Sequence, residues 1–157
     1  MSEVVPEGWH IHRLREICDG ISVGHVGSTA EHYTDHSGIK FIRTGDLKNG
    51  KIRLSNTKYI TRDFHKKLGK SQLRTGDILV SRVGDTGQAV LVPQDIGEAN
   101  CANIIIIKPS SGIHPEFLHS AINSEDFFKQ AMAVSIGSAQ AVLNTSVIKK
   151  LKTLTPP

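Results

Sequence analysis

Hydrophobic and polar positions follow a changing rhythm along these 157 residues, and the rhythm predicts where elements lie. Near the start, Trp9, Ile11, Leu14 and Ile17 form an apolar face behind the turn signal Pro6-Glu7-Gly8, which predicts a short helix over Arg13 to Cys18. From Asp19 to Gly38 the periodicity fades and Gly, Ser, Thr and His take over, so a long loop is expected there. Ile39 to Thr44 alternates and reads as a strand, with turn residues Gly45, Asp46, Asn49 and Gly50 after it. Ile52 to Ile60 suits one or two further short strands. Thr61 is placed to cap a helix that carries Asp63 in its first turn and Phe64 and Leu68 on one face, with Gly69 expected to close it in the left-handed conformation. After a turn at Leu73 to Gly76 come two apolar strands, Asp77 to Val83 and Gln88 to Val92, joined through Gly84, Asp85 and Gly87 as the clearest hairpin in the chain. Asn103 to Lys108 is almost wholly apolar and predicts a strand buried on both faces.

The last third changes period. Pro115 suits a first helical position, and Phe117, Leu118, Ala121 and Ile122 recur at helical spacing. Ser124 is expected to cap a second helix with Phe127, Phe128, Ala131 and Met132 as its apolar face, and Glu125 and Asp126 favour the positive end of its dipole. A polar stretch from Ser135 to Gln140 follows. Val142 and Leu143 then suggest a short strand, and Ser146 opens a short basic helix. No internal repeat or low-complexity tract emerges. Strands in the middle with helices following them, rather than alternating, imply an α+β fold, and the length suits one domain spanning residues 1–157.

Composition narrows the classes. Cys18 and Cys101 stand far apart, with no CxxC pattern, so a disulfide framework is not expected and a reducing cytoplasm is the default. Met1 to His10 has no basic segment followed by an apolar run and does not read as a signal peptide, and Ile104 to Ile107 is too short to span a bilayer. A formal net charge of +4 permits an anionic partner such as nucleic acid without demanding one.

Catalytic patterns find little support. Gly76, Gly84 and Gly87 are not followed by the Gly-Lys-Ser/Thr of a phosphate-binding loop and read as turn residues. Asp95 and Glu98 lack the nearby lysine of a metal nuclease, and Thr155-Pro156-Pro157 lacks the asparagine and aromatic of an adenine methyltransferase tetrapeptide. His32 and His36 are spaced like a helical metal pair, but they fall in a loop and no cysteine cluster completes a site, so neither metal nor cofactor is expected.

Five segments in order carry a resemblance. They are Pro6-Glu7-Gly8-Trp9, FIRTGDLKNGKI at Phe41 to Ile52, LRTGDILVSRVGDTGQAVLV at Leu73 to Val92, the helix start Pro115-Glu116-Phe117-Leu118, and SIGSAQAVLNTSVIKKLKTLTPP at the end. Together they resemble one target-recognition domain of the specificity subunit of type I restriction-modification systems. The resemblance implies a mixed, mainly antiparallel sheet with flanking helices and non-catalytic, sequence-specific recognition of double-stranded DNA. It also implies one half of a split target read by each domain, with modification and restriction subunits as partners. It places a long spacer helix after Pro157, so this chain is expected to correspond to a half-subunit without that helix, and to be monomeric. The rival reading is a protein-interaction or regulatory decoy module of the same fold.

DNA reading requires forked or paired donors for base edges, and cations or hydroxyls for phosphates. On that chemistry the candidates are Ser28, Thr29, His32 and Tyr33 in the polar loop, Arg43 and Thr44 at the end of the next strand, and Arg82 and Gln88 beside the hairpin turn. Ser138, Gln140 and Asn144 in the closing stretch, with Lys149 and Lys150 as backbone contacts, complete the set.

Overall fold

The computed structural model describes residues 4–82, 88–135 and 144–157. In chain order the elements are β1 (His10–Arg13), β2 (Cys18–Val23), β3 (Tyr33–Thr34), β4 (Ile39–Ile42), β5 (Leu47–Lys48), β6 (Lys51–Ile52), β7 (Lys58–Ile60), α1 (Arg62–Lys67), β8 (Gln72–Leu73), β9 (Ile78–Ser81), β10 (Val90–Leu91), β11 (Ala99–Cys101), β12 (Ile104–Pro109), α2 (Pro115–Ile122), α3 (Glu125–Ser135), α4 (Thr145–Lys150) and β13 (Lys152–Thr155). Single 3-10 turns stand at Leu14–Glu16, Ala30–His32, Thr44–Asp46 and Gly69–Ser71.

The four isoleucines of β12 organise the core. All are 0% exposed, and successive side chains of a strand point to opposite faces. Ile105 and Ile107, with Ile78 and Val80 of β9, meet Leu118 and Ile122 of α2, Phe127 of α3 and Ile148 of α4. Ile104 and Ile106, with Leu79 and Val90, meet Ile42, Ile96, Ala99 and Cys101 on the other side. Each fully buried isoleucine contributes about 1.5–3 kcal/mol over an exposed one. The central sheet, ordered β10-β9-β12-β2, is antiparallel throughout and lies between a helical layer and a second sheet ordered β3-β7-β4-β11-β8. In the second sheet β11 and β4 run parallel, while the other pairs are antiparallel. The architecture is thus α+β, with a mixed, mainly antiparallel sheet system and flanking helices.

Local chemistry sets several boundaries as expected. The hairpin pairs Val90 with Leu79 and Leu91 with Ile78. Thr61 caps α1 by accepting the Phe64 N–H at 3.3 Å, Pro115 occupies the first turn of α2, and the Ser124 hydroxyl accepts the Phe127 N–H at 3.2 Å.

Other boundaries differ. Asp19 to Val23, expected within a loop, joins Cys18 in β2 because Ile21 lies opposite Ile107 and Val23 opposite Ile105, a pairing with a remote strand. The helix expected over Arg13 to Cys18 is a single 3-10 turn, since β1 is drawn into a ribbon with β13 that pairs His10 with Thr155. Gly69 does not close α1; Leu68 does, at φ −96°, with its N–H bonded to the Phe64 carbonyl at 3.1 Å. The basic helix starts at Thr145, one residue before Ser146, because Asn144 supplies the cap. On α3, Phe127 is buried but Phe128 and Met132 are 52% and 43% exposed, so the buried stripe is narrower than the apolar pattern. The Gly84-Asp85-Gly87 connection and the suggested strand at Val142 and Leu143 lie outside the described residues.

The tetrapeptide Arg-Thr-Gly-Asp occurs twice, at Arg43 to Asp46 and at Arg74 to Asp77, a short recurrence within a chain that has no longer repeat. In both, the arginine N–H donates to the aspartate Oδ2 at 2.9 Å.

Candidate DNA interface

The candidate residues fall in three places. Ser28, Thr29, His32 and Tyr33 lie at the β3 edge of the second sheet. Ser28 is exposed, whereas the Thr29 hydroxyl donates to the Tyr33 hydroxyl at 3.0 Å. His32 lies flat on Phe64, with ring centres 3.7 Å apart and planes 6° apart, and His25 meets the same ring edge-on at 5.3 Å. Tyr33 packs against Phe41 at 6.3 Å. Such ring contacts contribute about 0.5–1.5 kcal/mol each, and here they hold the segment down on the cluster of Ile39, Phe41, Ile60 and Phe64.

Arg43, with Thr44 beside it, and Arg82 flank the crossover from β11 to β12, and Gln88 stands by the β5–β6 turn. Residues 101–104 are hydrogen-bonded on both flanks. The Ala102 N–H donates to the Ile42 carbonyl at 2.9 Å, the His25 N–H to the Cys101 carbonyl at 3.0 Å, and the Gly24 N–H to the Ile104 carbonyl at 2.8 Å. Gly24 permits this approach, since a Cβ there would stand 2.7 Å from the Cys101 carbonyl oxygen. Arg43 follows β4, and its Nη2 donates to the Asn56 carbonyl at 3.3 Å while its Nε lies 4.0 Å from Asp46 Oδ2. Arg82 follows β9, and its Nη1 donates to Asn103 Oδ1 at 2.7 Å. Among the described residues the Nε atoms of both arginines are buried without a hydrogen-bond partner. Thr44 is exposed beside Arg43. Gln88 is exposed and leans over the β5–β6 turn, where a Cβ on Gly50 would stand 2.6 Å from its Oε1.

Sequence reasoning anticipates the turn at Asn49 and Gly50, but not its lysines as part of a candidate site. Asn49 and Gly50 have φ of 53° and 74°, the left-handed pair that a two-residue type I′ hairpin requires. It projects Lys48 and Lys51, both exposed, and Arg53 follows them. Lys48, Asn49, Arg53, Ser55 and Asn56 line an open hollow beside the first Arg-Thr-Gly-Asp turn. The signal that could have found it is an Asn-Gly pair flanked by two lysines.

Asn144, Lys149 and Lys150 stand on the helical layer, across the central sheet from the crossover. The Asn144 side chain caps α4 by accepting the Val147 N–H at 2.9 Å and the Ser146 hydroxyl at 2.6 Å. Lys149 and Lys150 are exposed beside the buried Ile148. Ser138 and Gln140 lie outside the described residues.

The buried polar groups elsewhere serve the fold. Asn100, 0% exposed, accepts from the Ser71 hydroxyl at 2.5 Å and lies 3.1 Å from His65 Nδ1, and burial holds the His65 imidazole below its usual value. Burial pushes the Cys18 and Cys101 thiols up to about 12, so both stay protonated at neutral pH. Among the described residues no three His, Cys, Asp or Glu side chains stand together as a metal cluster, and no helix is long and apolar enough to cross a membrane.

The chain is 27% identical over 154 residues to the type I restriction enzyme EcoBI specificity subunit of Escherichia coli, covering 93% of this chain and 31% of that protein. It is 24% identical to the type I restriction enzyme MjaVIII specificity subunit of Methanocaldococcus jannaschii, covering 94% of this chain and 36% of that protein. It thus spans about a third of the length of these relatives. Among solved structures, the HsdS subunit from Thermoanaerobacter tengcongensis shares the fold over 99% of this chain and 40% of its own, with a TM-score of 0.72 at 21% identity. A type I R-M system structure concerned with complex assembly and conformational transition matches with a TM-score of 0.73 at 21% identity, over 98% of this chain and 39% of its own. The type I restriction modification DNA specificity domain matches residues 6–157, and the chain belongs to that family.

Proposed function

We propose that this domain reads one half of a bipartite double-stranded DNA target, with the surface around the β11–β12 crossover facing the duplex. As a specificity domain it is a non-catalytic component, so its task is recognition rather than bond cleavage. The observation that carries the reading is that Arg43 and Arg82 follow strands on either side of the β11–β12 crossover, Arg82 bonded to Asn103 and Arg43 bonded to Asn56 at the hollow that Lys48 and Arg53 line. Among the described residues each guanidinium, with its five donors, bonds a protein oxygen through one arm. Forked donors match guanine in the major groove, Gln88 suits adenine, and Lys48 and Lys51 suit phosphates that set register without reading sequence. Ser28 and Thr44 add exposed hydroxyls. Lys149 and Lys150, on the helical layer, would meet a backbone only where the duplex wraps that side. In the larger system the domain addresses modification and restriction subunits to their site; by itself it is monomeric and acts in the cytoplasm.

The test is selection from a randomised duplex pool at low salt, followed by a salt titration of the retained sequence. The expected result is one short ungapped motif, with affinity that falls steeply as salt rises. A chain that retains no motif and shows no salt-dependent affinity would instead fit the protein-interaction or decoy reading.

A further inference from the structure

We infer that Asn103 is a positioning residue for base reading: it holds the Arg82 guanidinium in place before DNA arrives. This rests on the proposal that Arg82 faces DNA. Among the described residues only Asn49 and Asn103 combine a side chain with positive φ. The hairpin turn accounts for Asn49. Asn103, at φ 58°, belongs to no hairpin; it sits where the chain passes from β11 into β12. Left-handed backbone is unfavourable for most residues and is kept where surrounding structure enforces it, often at functional sites. Here the Asn103 N–H is tied to the His25 carbonyl at 3.0 Å, and its neighbours are tied to Ile42 and Gly24. In the same conformation its carboxamide oxygen accepts Arg82 Nη1 at 2.7 Å. Ser81 pairs with Ile104, so Arg82 and Asn103 follow as the next opposed positions beyond the ladder.

The support is therefore two strand ends of the central sheet, not a free loop. Among the described residues Arg82 Nε is buried with no acceptor, and the guanidinium is held by the arm that meets Asn103. A fork fixed in this way loses less freedom on pairing with a planar acceptor such as a guanine edge. Asn103 then contributes to specificity without touching a base.

The decisive variant is Asn103→Gly. Glycine adopts φ 58° without strain, so the fold is kept while the acceptor is removed. Asn103→Asp keeps both an acceptor and tolerance of left-handed backbone. The parent chain, Arg82→Ala, Asn103→Gly and Asn103→Asp are each put through the duplex-pool selection, with thermal unfolding run alongside. The expected result is that Arg82→Ala and Asn103→Gly lose preference at the same single base pair, by roughly tenfold, with the salt slope unchanged. Asn103→Asp retains that preference. An Asn103→Gly chain that keeps full preference where Arg82→Ala loses it would overturn the inference and leave the DNA reading standing. So would an even loss of affinity at all positions. A parent chain that selects no motif removes the DNA reading and this inference together.

Discussion

Arg43-Thr44-Gly45-Asp46 and Arg74-Thr75-Gly76-Asp77 begin alike. In each, the aspartate carboxylate accepts the arginine N–H at 2.9 Å, and the aspartate N–H returns to the arginine carbonyl, at 2.9 and 3.0 Å. Beyond that they part. Gly76 has φ +90°, as the third position of a type II turn requires, and a Cβ there would stand 3.2 Å from Pro115 Cγ at the start of α2. Asp77, 5% exposed, meets Lys108 Nζ at 2.5 Å. Gly45 has an ordinary φ and open space where its Cβ would be, and Asp46, as buried as Asp77 at 4% exposed, has the partly exposed Arg43 Nε 4.0 Å away in place of a lysine. The second turn is covered by α2 at its glycine and tied to Lys108 at its aspartate, while at the first the glycine stands open beside the Lys48 and Arg53 hollow. The tetrapeptide sets the same two hydrogen bonds in both places; the backbone at its glycine, and what packs against it, differ.

Substitutions in matched pairs can break this contrast. The largest effect is expected from Asp77→Ala, which strands Lys108 half-buried and leaves the Arg74 N–H without its acceptor. Urea unfolding should lose about 3–5 kcal/mol with an unchanged m-value. Gly76→Ala comes next, at about 1–3 kcal/mol, read as a lowered urea midpoint. Asp46→Ala, which removes the same N–H acceptor in the open turn, should cost only about 1 kcal/mol. Were Asp46 and Asp77 to cost the same, the Lys108 ion pair would not be what separates the turns. Gly45→Ala should reverse the sign, stabilising by about 0.4–1 kcal/mol because alanine has less freedom to lose on folding. The smallest change in stability, none measurable, is expected for Lys48→Ala with Lys51→Ala. There the readout is DNA binding, where the slope of log affinity against log salt should become shallower by about 0.9 for each phosphate that is no longer neutralised.

The same contrast explains what the sequence makes legible. The β9–β10 hairpin, the apolar β12 and the caps at Thr61, Pro115 and Ser124 rest on neighbours in the chain, so their residues announce them. Cys18 to Val23 does not announce itself, because Asp19, Gly20 and Ser22 carry no strand signal and the pairing comes from Ile105 to Pro109. Helical spacing on α3 marks Phe127 and Phe128 alike as apolar; only the sheet beneath decides that one is buried and the other 52% exposed. At the proposed interface, Arg43, Arg82 and Gln88 are picked out in the sequence by their chemistry beside glycine turns. Lys48 and Lys51 are not, because an Asn-Gly pair announces a turn without saying that the turn projects its flanks. The bond between Arg82 and Asn103 spans 21 residues and depends on a backbone conformation that residue type alone does not reveal. Ser28, Thr29, His32 and Tyr33 share a polar stretch, yet three of the four are spent on ring and hydroxyl contacts that hold it down.

The ribbon of β1 and β13 has a consequence for inheritance. Its rungs run from His10 opposite Thr155 to Arg13 opposite Lys152, and Gly8 lies so near Pro157 that a Cβ there would stand 3.3 Å from the proline's own. The segment's two ends therefore meet at one doorway. In any longer polypeptide that holds it, this module could be traded for another of different binding preference by two crossovers a few ångströms apart in space, while the host chain kept its course.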